Sequence, residues 1–527
     1  MQKKEPANLN ALGRITFGLD SEILNAVSKK GFEAWLDEQL KPLDRNDLIC
    51  NKKIAEFRLP IKYGANKDGY WPAVDELRPF QYLTASSEQL MSLITPGRRI
   101  DGQEEWRPAR EVMCATLIRS VYSRWQVREV ITQFWHDHFN VNGWDGLARL
   151  MLPVYDREVI RANVFGNFRQ MLESVAKSAA MQSYLNNRSS RAGAPNENFA
   201  RELFELHTMG SKSYMNNLYN KWRDVPGASS QKPAGYIDQD VYEAARAFTG
   251  WSVADGASLG DGKKLPRTGE FIYVDSWHDQ YQKRILAREI DPYQAPLKDG
   301  LIALDLVAFH PATAHYLSSK LCIRLVSDHP PESLVKSAAA VWMANQKHPR
   351  QIAKVIEHIV LSQDFMAAST TKVKRPTELL ASLIRTTGQP FQPTIGLIDQ
   401  LNNCGQRLFG WVTPAGLPDD NARWLGANAI WQRWNLIAGI VDNSWQCGSL
   451  DAFALVGSNV TVEEFSEVCF SKFAISSKTL KGDSFGKEFI SRLIEASGLK
   501  PNTLVTDPVI ARRMIAWSAM SPSFQMR

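Results

Sequence analysis

The sequence predicts an all-α protein, a predominantly helical multi-helix chain with at most a small β-hairpin. Apolar residues recur at helical spacing through most of the chain. Strand-like composition is confined to Phe271-Ile272-Tyr273-Val274 and the stretch from Gln282 to Leu286, which are expected to pair as one hairpin. Helix ends are also well marked. Asn196 after Pro195 is a good N-cap, and Gly210 fits the left-handed residue that closes a helix.

In chain order, residues 9–40 read as two short helices, and 41–105 as an irregular segment rich in prolines and charges. A strong helix is expected from Arg119 to about Phe139, with Val121, Trp125, Val130, Phe134 and His138 on one stripe. A second runs from about Tyr155 to Leu185, bent at Gly166. The acidic helix 196–210 follows, then a polar loop over 211–237 and a helix from Asp238 to Thr249 closed by Gly250-Trp251. Further helices are expected near 299–309, 311–326, 332–345, 349–362, 374–387, 421–440, 461–472, 485–496 and 507–518. Pro311 stands at a favourable first-turn position. At 527 residues the chain is long enough for two or three domains. The expected division is 1–110 as N-terminal helices and irregular segment, 111–390 as helical core and 391–527 as a C-terminal helical region, or one continuous body. No repeat of fixed period is present.

Composition excludes several classes. The net charge of +6 is small over this length, and the densest basic patch is only Lys372-Val373-Lys374-Arg375, so no nucleic-acid footprint is seen. No apolar run approaches the roughly 18–20 residues that span a bilayer. Met1 to Asn10 is polar and lacks an apolar signal core. The expected location is cytoplasmic, or exported (periplasmic or extracellular) if a leader has been removed. The six cysteines show no CxxC spacing, which argues against a zinc ribbon or a dense disulfide framework. Of sixteen tryptophans, several such as Trp222, Trp277 and Trp411 fall in loop-like sequence; they read either as buried anchors or as a stacking platform for a flat ligand such as a sugar ring.

The densest chemistry lies between Pro195 and Gly210. At about 100° per residue, Glu197, Asn198, Arg201, Glu202 and Glu205 share one arc, opposite Phe199, Ala200, Leu203, Phe204 and Leu206. Asp240 and Glu243 repeat the i, i+3 spacing of Glu202 and Glu205, with Arg246 a turn on. If the two helices pack through their polar faces, four carboxylates and Arg201 meet. Such a group needs cations, a metal or raised pKa values, so it is either a salt-bridge network or a catalytic or metal-binding cluster. His207 lies roughly 160° from Glu205 in the apolar arc, so it is expected to be a core histidine with its ring hydrogen-bonded to a neighbouring helix. His138 continues an apolar stripe and reads as core. His136 is the better functional candidate, with Asp137 as its orienting partner. His278-Asp279 in a loop is the other candidate pair.

Several motifs together resemble the bacterial family called domain of unknown function 1800. They run in order from Gly13-Arg14-Ile15-Thr16-Phe17-Gly18, through Phe134-Trp135-His136-Asp137-His138-Phe139, Asn196-Glu197-Asn198-Phe199-Ala200-Arg201-Glu202-Leu203, Asp240-Val241 and Ala245-Arg246-Ala247-Phe248-Thr249-Gly250-Trp251, to His278-Asp279 and His310-Pro311-Ala312-Thr313-Ala314. Phe409-Gly410 with Pro414-Ala415-Gly416, and Ser521-Pro522-Ser523-Phe524-Gln525, complete the set. The resemblance implies a helical bacterial protein, often exported, and often encoded beside a sulfatase-like partner protein. Two features depart from it: no export signal is visible, and the 211–237 loop is longer than the resemblance implies.

The leading expectation is an enzyme using carboxylate and histidine acid–base or metal-assisted chemistry, most simply hydrolysis of a glycan-like substrate. Glu202, Glu205, Arg201, His136, Asp240 and Glu243 are the candidate catalytic residues; Asn196, Asn198, His278, Asp279, Trp251 and Trp277 are the candidate substrate-binding residues. The sequence names no cofactor, a divalent metal being the candidate. The rival expectation is a non-catalytic binding or scaffold protein acting with a sulfatase-like partner enzyme.

Overall fold

The computed structural model describes residues 9–260, 262–368, 372–474 and 484–527, the side chain of Ser484 excepted. Most of the N-terminal stretch read for a signal core, residues 1–8, thus lies outside the described residues. The fold is predominantly helical. Among the described residues there are 26 α-helices and four two-stranded antiparallel pieces. One apolar core draws side chains from Ala11 to Phe524 and so runs through all three stretches distinguished in the sequence. No helix among the described residues is long and apolar enough to cross a membrane.

Ten helices position the regions discussed below: α1 (Gly102–Tyr122), α2 (Gln126–His138), α3 (Gly146–Val154), α4 (Phe168–Lys177), α5 (Glu197–Glu202), α6 (Asp238–Ala247), α7 (Pro311–Leu325), α8 (Glu332–Ala344), α9 (Gln351–Val360) and α10 (Pro376–Thr387). Helix α1 starts on the side chain of Asp101, which accepts the Gln103 N–H at 2.8 Å. It packs on α3 and α10, while α7, α8 and α9 pack in succession. The single helix expected from Arg119 to Phe139 is two. The Asp47 carboxylate accepts both the Ser123 hydroxyl (2.6 Å) and the Arg124 N–H (3.0 Å), and this bend separates α1 from α2. The helix expected over 155–185 is likewise divided. A wide turn at Tyr155–Ile160 and a 3₁₀ turn at Arg161–Asn163 precede α4, whose N-cap is Asn167, and Ser178 caps the short helix Ala179–Tyr184.

The strand pairing differs from expectation. Phe271–Tyr273 does not meet residues 282–286. It belongs to Arg267–Tyr273 (β2), which pairs with Trp251–Asp255 (β1), Trp251 opposite Tyr273. Lys283–Ile285 (β3) instead folds back on Arg288–Ile290 (β4). The two-residue loop between β3 and β4, Leu286-Ala287, has φ +49° and +60°, the double positive φ of a tight hairpin turn. Neither residue type advertises that conformation. The stretch read as irregular also contains a helix, Leu48–Glu56, and an antiparallel pair, Leu59–Tyr63 with Val74–Arg78.

Candidate functional site

The acidic helix begins as its sequence dictates: Asn196 Oδ1 accepts the Asn198 N–H at 2.9 Å. After Glu202 it does not continue as an α-helix. Leu203–His207 forms a wider π turn, and Gly210, at φ +83°, returns its N–H to the Phe204 carbonyl at 3.1 Å. Turns of this kind are rare and cluster at functional sites. The extra residue per turn changes which side chains meet. Arg201 reaches back to Glu197 (3.2 Å) and across to Asp238 (3.8 Å), and makes no ion pair with Glu205.

Glu202 and Glu205 are therefore left together. Both are half-buried, and neither has a hydrogen bond or ion pair among the described residues. Burial, and then the Glu205 charge, raise the Glu202 pKa to about 6 against the opposing pull of Arg201. Tyrosines surround the pair electrostatically. Burial and Glu205 push Tyr316 up to about 12 and Tyr236 higher still. Burial and Glu202 push Tyr184 up to about 12, against a hydrogen bond from Asn140 that lowers it. The Tyr184 hydroxyl donates to the Val412 carbonyl at 2.6 Å, while the Tyr236 hydroxyl is buried with no partner among the described residues.

Asp240 and Glu243 do not join this pair. Helices α5 and α6 do pack together, but through Phe199 set edge-on to Phe248, with ring centroids 5.1 Å apart. Asp240 is buried and accepts the backbone N–H groups of Ile237 (3.0 Å) and Leu286 (2.7 Å), which fastens α6 to the β3–β4 turn. Burial raises its pKa to about 6 against those two bonds. Glu243 pairs with Arg246 at 2.7 Å, and Arg246 grips Asp279 with two nitrogens at 2.8 and 3.0 Å. Two carboxylates of the expected four thus serve the fold, Asp240 through a loop N–H group that a helical wheel cannot display and Glu243 through Arg246 in its own helix.

The histidine candidates are similarly engaged. His136 Nε2 lies 2.9 Å from Asp156, not Asp137, and Asp156 also binds Arg161 in a buried network with Glu129. Asp137 turns the other way, to Arg375 at 2.5 Å. His278 Nε2 is 3.1 Å from Asp299, which also holds the buried Lys283 at 2.7 Å. Trp251 and Trp277 are buried, so they are anchors and no stacking platform; Arg191 covers the Trp277 ring at 3.9 Å. Asn196 is the cap, and Asn198 donates weakly to the Leu185 carbonyl at 3.3 Å. Among the described residues no three His, Cys, Asp or Glu side chains are placed to hold a metal ion.

His207 is fully buried as expected, but its ring is not hydrogen-bonded to a neighbouring helix: neither ring nitrogen has a partner among the described residues. Its backbone carbonyl is what bonds, to His138 Nε2 at 3.1 Å. The other nitrogen of His138 meets Lys320 Nζ at 3.0 Å, at the wall of a cavity of about 210 Å³. Sequence reasoning assigned His138 to the core and passed over Lys320, whose partner lies 182 residues away.

The fold and this arrangement define a class, an all-α protein with two unpaired carboxylates and a lysine–histidine pair on neighbouring elements. The chain belongs to the family described as Protein of unknown function (DUF1800), whose model matches residues 10–526. No curated protein and no solved structure matches it.

Proposed function

We propose that the protein is a hydrolase in which Glu202 and Glu205 act as an acid–base pair on a glycan-like substrate. The observation that carries this reading is the unpaired state of both carboxylates in a chain where buried acids such as Asp156, Asp240 and Glu378 are matched by cations or N–H groups. A carboxyl titrating near 6 is suited to give and take a proton near neutral pH. Tyr184 and Tyr316 flank the pair, and such rings present apolar faces and polar tips to a sugar. Arg201, tied to Glu197 and Asp238, balances charge without touching the reacting bond. The test is hydrolysis of a panel of oligosaccharides by the purified protein and by Glu202→Gln and Glu205→Gln. Each variant is expected to lose at least a hundredfold in kcat. Full activity in both overturns the reading.

A second reading rests on a different observation. Trp431 and Trp434, three apart on the helix Ala427–Val441, are 60% and 41% exposed, with Leu425 beside them in sequence at 54%. Exposed aromatic residues at helical spacing suit a partner surface. On this reading the chain is a scaffold for a sulfatase-like enzyme, and Trp431→Ser with Trp434→Ser abolishes their association while both glutamine variants preserve it.

A further inference from the structure

Lys320 stands in α7 with one close polar partner, His138 Nδ1, and makes no ion pair among the described residues. The geometry fixes which nitrogen of His138 carries the hydrogen. A carbonyl only accepts, so Nε2 donates to the His207 carbonyl, and Nδ1 turns its lone pair toward Lys320. Burial, and then the charge of Lys320, hold His138 neutral well below the usual histidine range.

Lys320 is half-buried, and a lysine removed from water in this way normally meets a carboxylate. The carboxylates nearest this one are already claimed: Arg375 holds Asp137 at 2.5 Å and Asp419 at 3.3 Å, and Lys372 holds Asp419 at 3.0 Å. The lysine opens on the cavity of about 210 Å³, whose apolar wall is Phe134, Ile323, Ala415, Leu417 and Pro418. At about 30 Å³ per water molecule, that space admits a small organic molecule. Asp137, Asp419 and Arg375 on its wall are held in ion pairs, and the rest of the wall is largely apolar, so it favours an uncharged one.

We propose that Lys320 is a nucleophilic amine that condenses with a small uncharged aldehyde or ketone in this cavity, His138 moving the proton. His138 Nδ1 takes a proton from the ammonium. The Nζ lone pair then attacks the carbonyl carbon, the C–N bond forms, and the C=O π electrons move to oxygen. One N–H proton passes to that oxygen to give a carbinolamine. The C–O bond breaks as His138 returns its proton to the departing oxygen, so one water leaves and an iminium remains on Nζ. No oxidant or reductant is required. This activity is independent of the Glu202–Glu205 pair.

Burial pushes the Lys320 pKa down to about 8, against the pull of Asp137 and Asp419. At pH 7.5 such an amine is neutral in an appreciable fraction, whereas an ordinary lysine is almost wholly charged. The test is brief incubation of the whole protein with propionaldehyde and sodium cyanoborohydride at pH 7.5, followed by peptide mapping for propyl-lysine. Lys320 is expected to label at least tenfold faster than the exposed lysines, and His138→Gln to slow it at least tenfold while its far-ultraviolet circular dichroism is unchanged. Should that variant fail to fold, the wild-type map decides. Lys374 separates cavity from acidity: burial lowers its pKa to about 7, but its amine is enclosed over the Phe524 ring at 3.8 Å, so it is expected to stay unlabelled. Labelling of Lys320 no faster than the exposed lysines overturns the proposal, as does equal labelling of Lys374. Faster labelling by glyoxylate than by propionaldehyde overturns its restriction to uncharged compounds.

Discussion

Replacing His207 by leucine tests the most unusual feature of the acidic segment, a wholly buried imidazole with no partner for either nitrogen. Its ring sits against Phe139, centroids 5.3 Å apart, and burial lowers its pKa from 6.5 to about 3, with the charge of Lys320 adding to the effect. Above pH 6.5 the histidine is neutral whether the chain is folded or unfolded, so the variant differs by removing two unsatisfied polar atoms and by exchanging the ring's contact with Phe139 for an aliphatic one. That change should be neutral or stabilising by about 1–2 kcal/mol. Below pH 6.5 the unfolded chain takes up a proton that the folded chain refuses. Wild-type stability therefore falls as pH drops from 6.5 toward 3, by about 1.4 kcal/mol per unit. At pH 5 the penalty is about 2 kcal/mol, and leucine does not incur it. At roughly 1.1 kcal/mol per degree for a chain of this length, the melting-temperature gap between variant and wild type should widen by about 2 °C between pH 7.5 and pH 5. Scanning fluorimetry of both proteins at both pH values measures it. A leucine variant destabilised equally at the two pH values would refute the reasoning, because it would show that the imidazole is satisfied and that its neutral form is not enforced.

Three other expectations can be checked in the same way. Glu202→Gln should gain about 1 kcal/mol over wild type at pH 8 and nothing at pH 4, half-burial discounting the full shift: the wild-type glutamate, raised to about 6, loses stability as pH rises from 4.5 through 6, and glutamine does not. Urea unfolding at the two pH values measures the gap. Lys374→Met should stabilise by at most about 5 kcal/mol below pH 7, with the advantage shrinking toward pH 10.5, because the wild type recovers stability as its depressed ammonium is released from the charged form in both states; thermal melts from pH 6 to 10 follow it. Glu378→Gln should cost about 3–5 kcal/mol at pH 7 in chemical denaturation, since it removes the carboxylate closest to the buried guanidinium groups of Arg324 (2.5 Å) and Arg527 (3.1 Å), leaving Arg324 only the longer pair with Asp419 at 3.9 Å.

Local signals in the sequence carry much of the helical architecture. The Asn196 cap, Pro311 in the first turn of α7 and the run of helices from Lys298 to Val360 lie where capping and periodicity place them. Several failures arise from contacts between residues distant in sequence. Asp47 bends the chain at Ser123 from 76 residues away, and Leu286 claims Asp240 from 46 away. The π turn at Leu203–His207 defeats a wheel drawn at a fixed angle. His207 is buried as the wheel requires, but the turn leaves its ring without the expected partner and denies Glu205 the arginine that an α-helix would have offered at i−4. The candidate acids were legible as residue types; their unpaired state was not.

The same turn ties the two candidate sites together through Tyr316. Gly210 closes the segment at a φ of +83°, and a Cβ there would come within 2.7 Å of the Tyr316 ring, so the position needs glycine both for its backbone and for the room. Tyr316 thereby packs against the end of the acidic turn, within reach of the Glu205 charge. Its other side faces the amine: Lys320 Nζ lies 5.5 Å from the ring centroid, and the His138 ring is 6.4 Å away. One half-buried aromatic ring thus lies near both the acidic turn and the Lys320–His138 pair. Gly210 is the residue that leaves room for that ring.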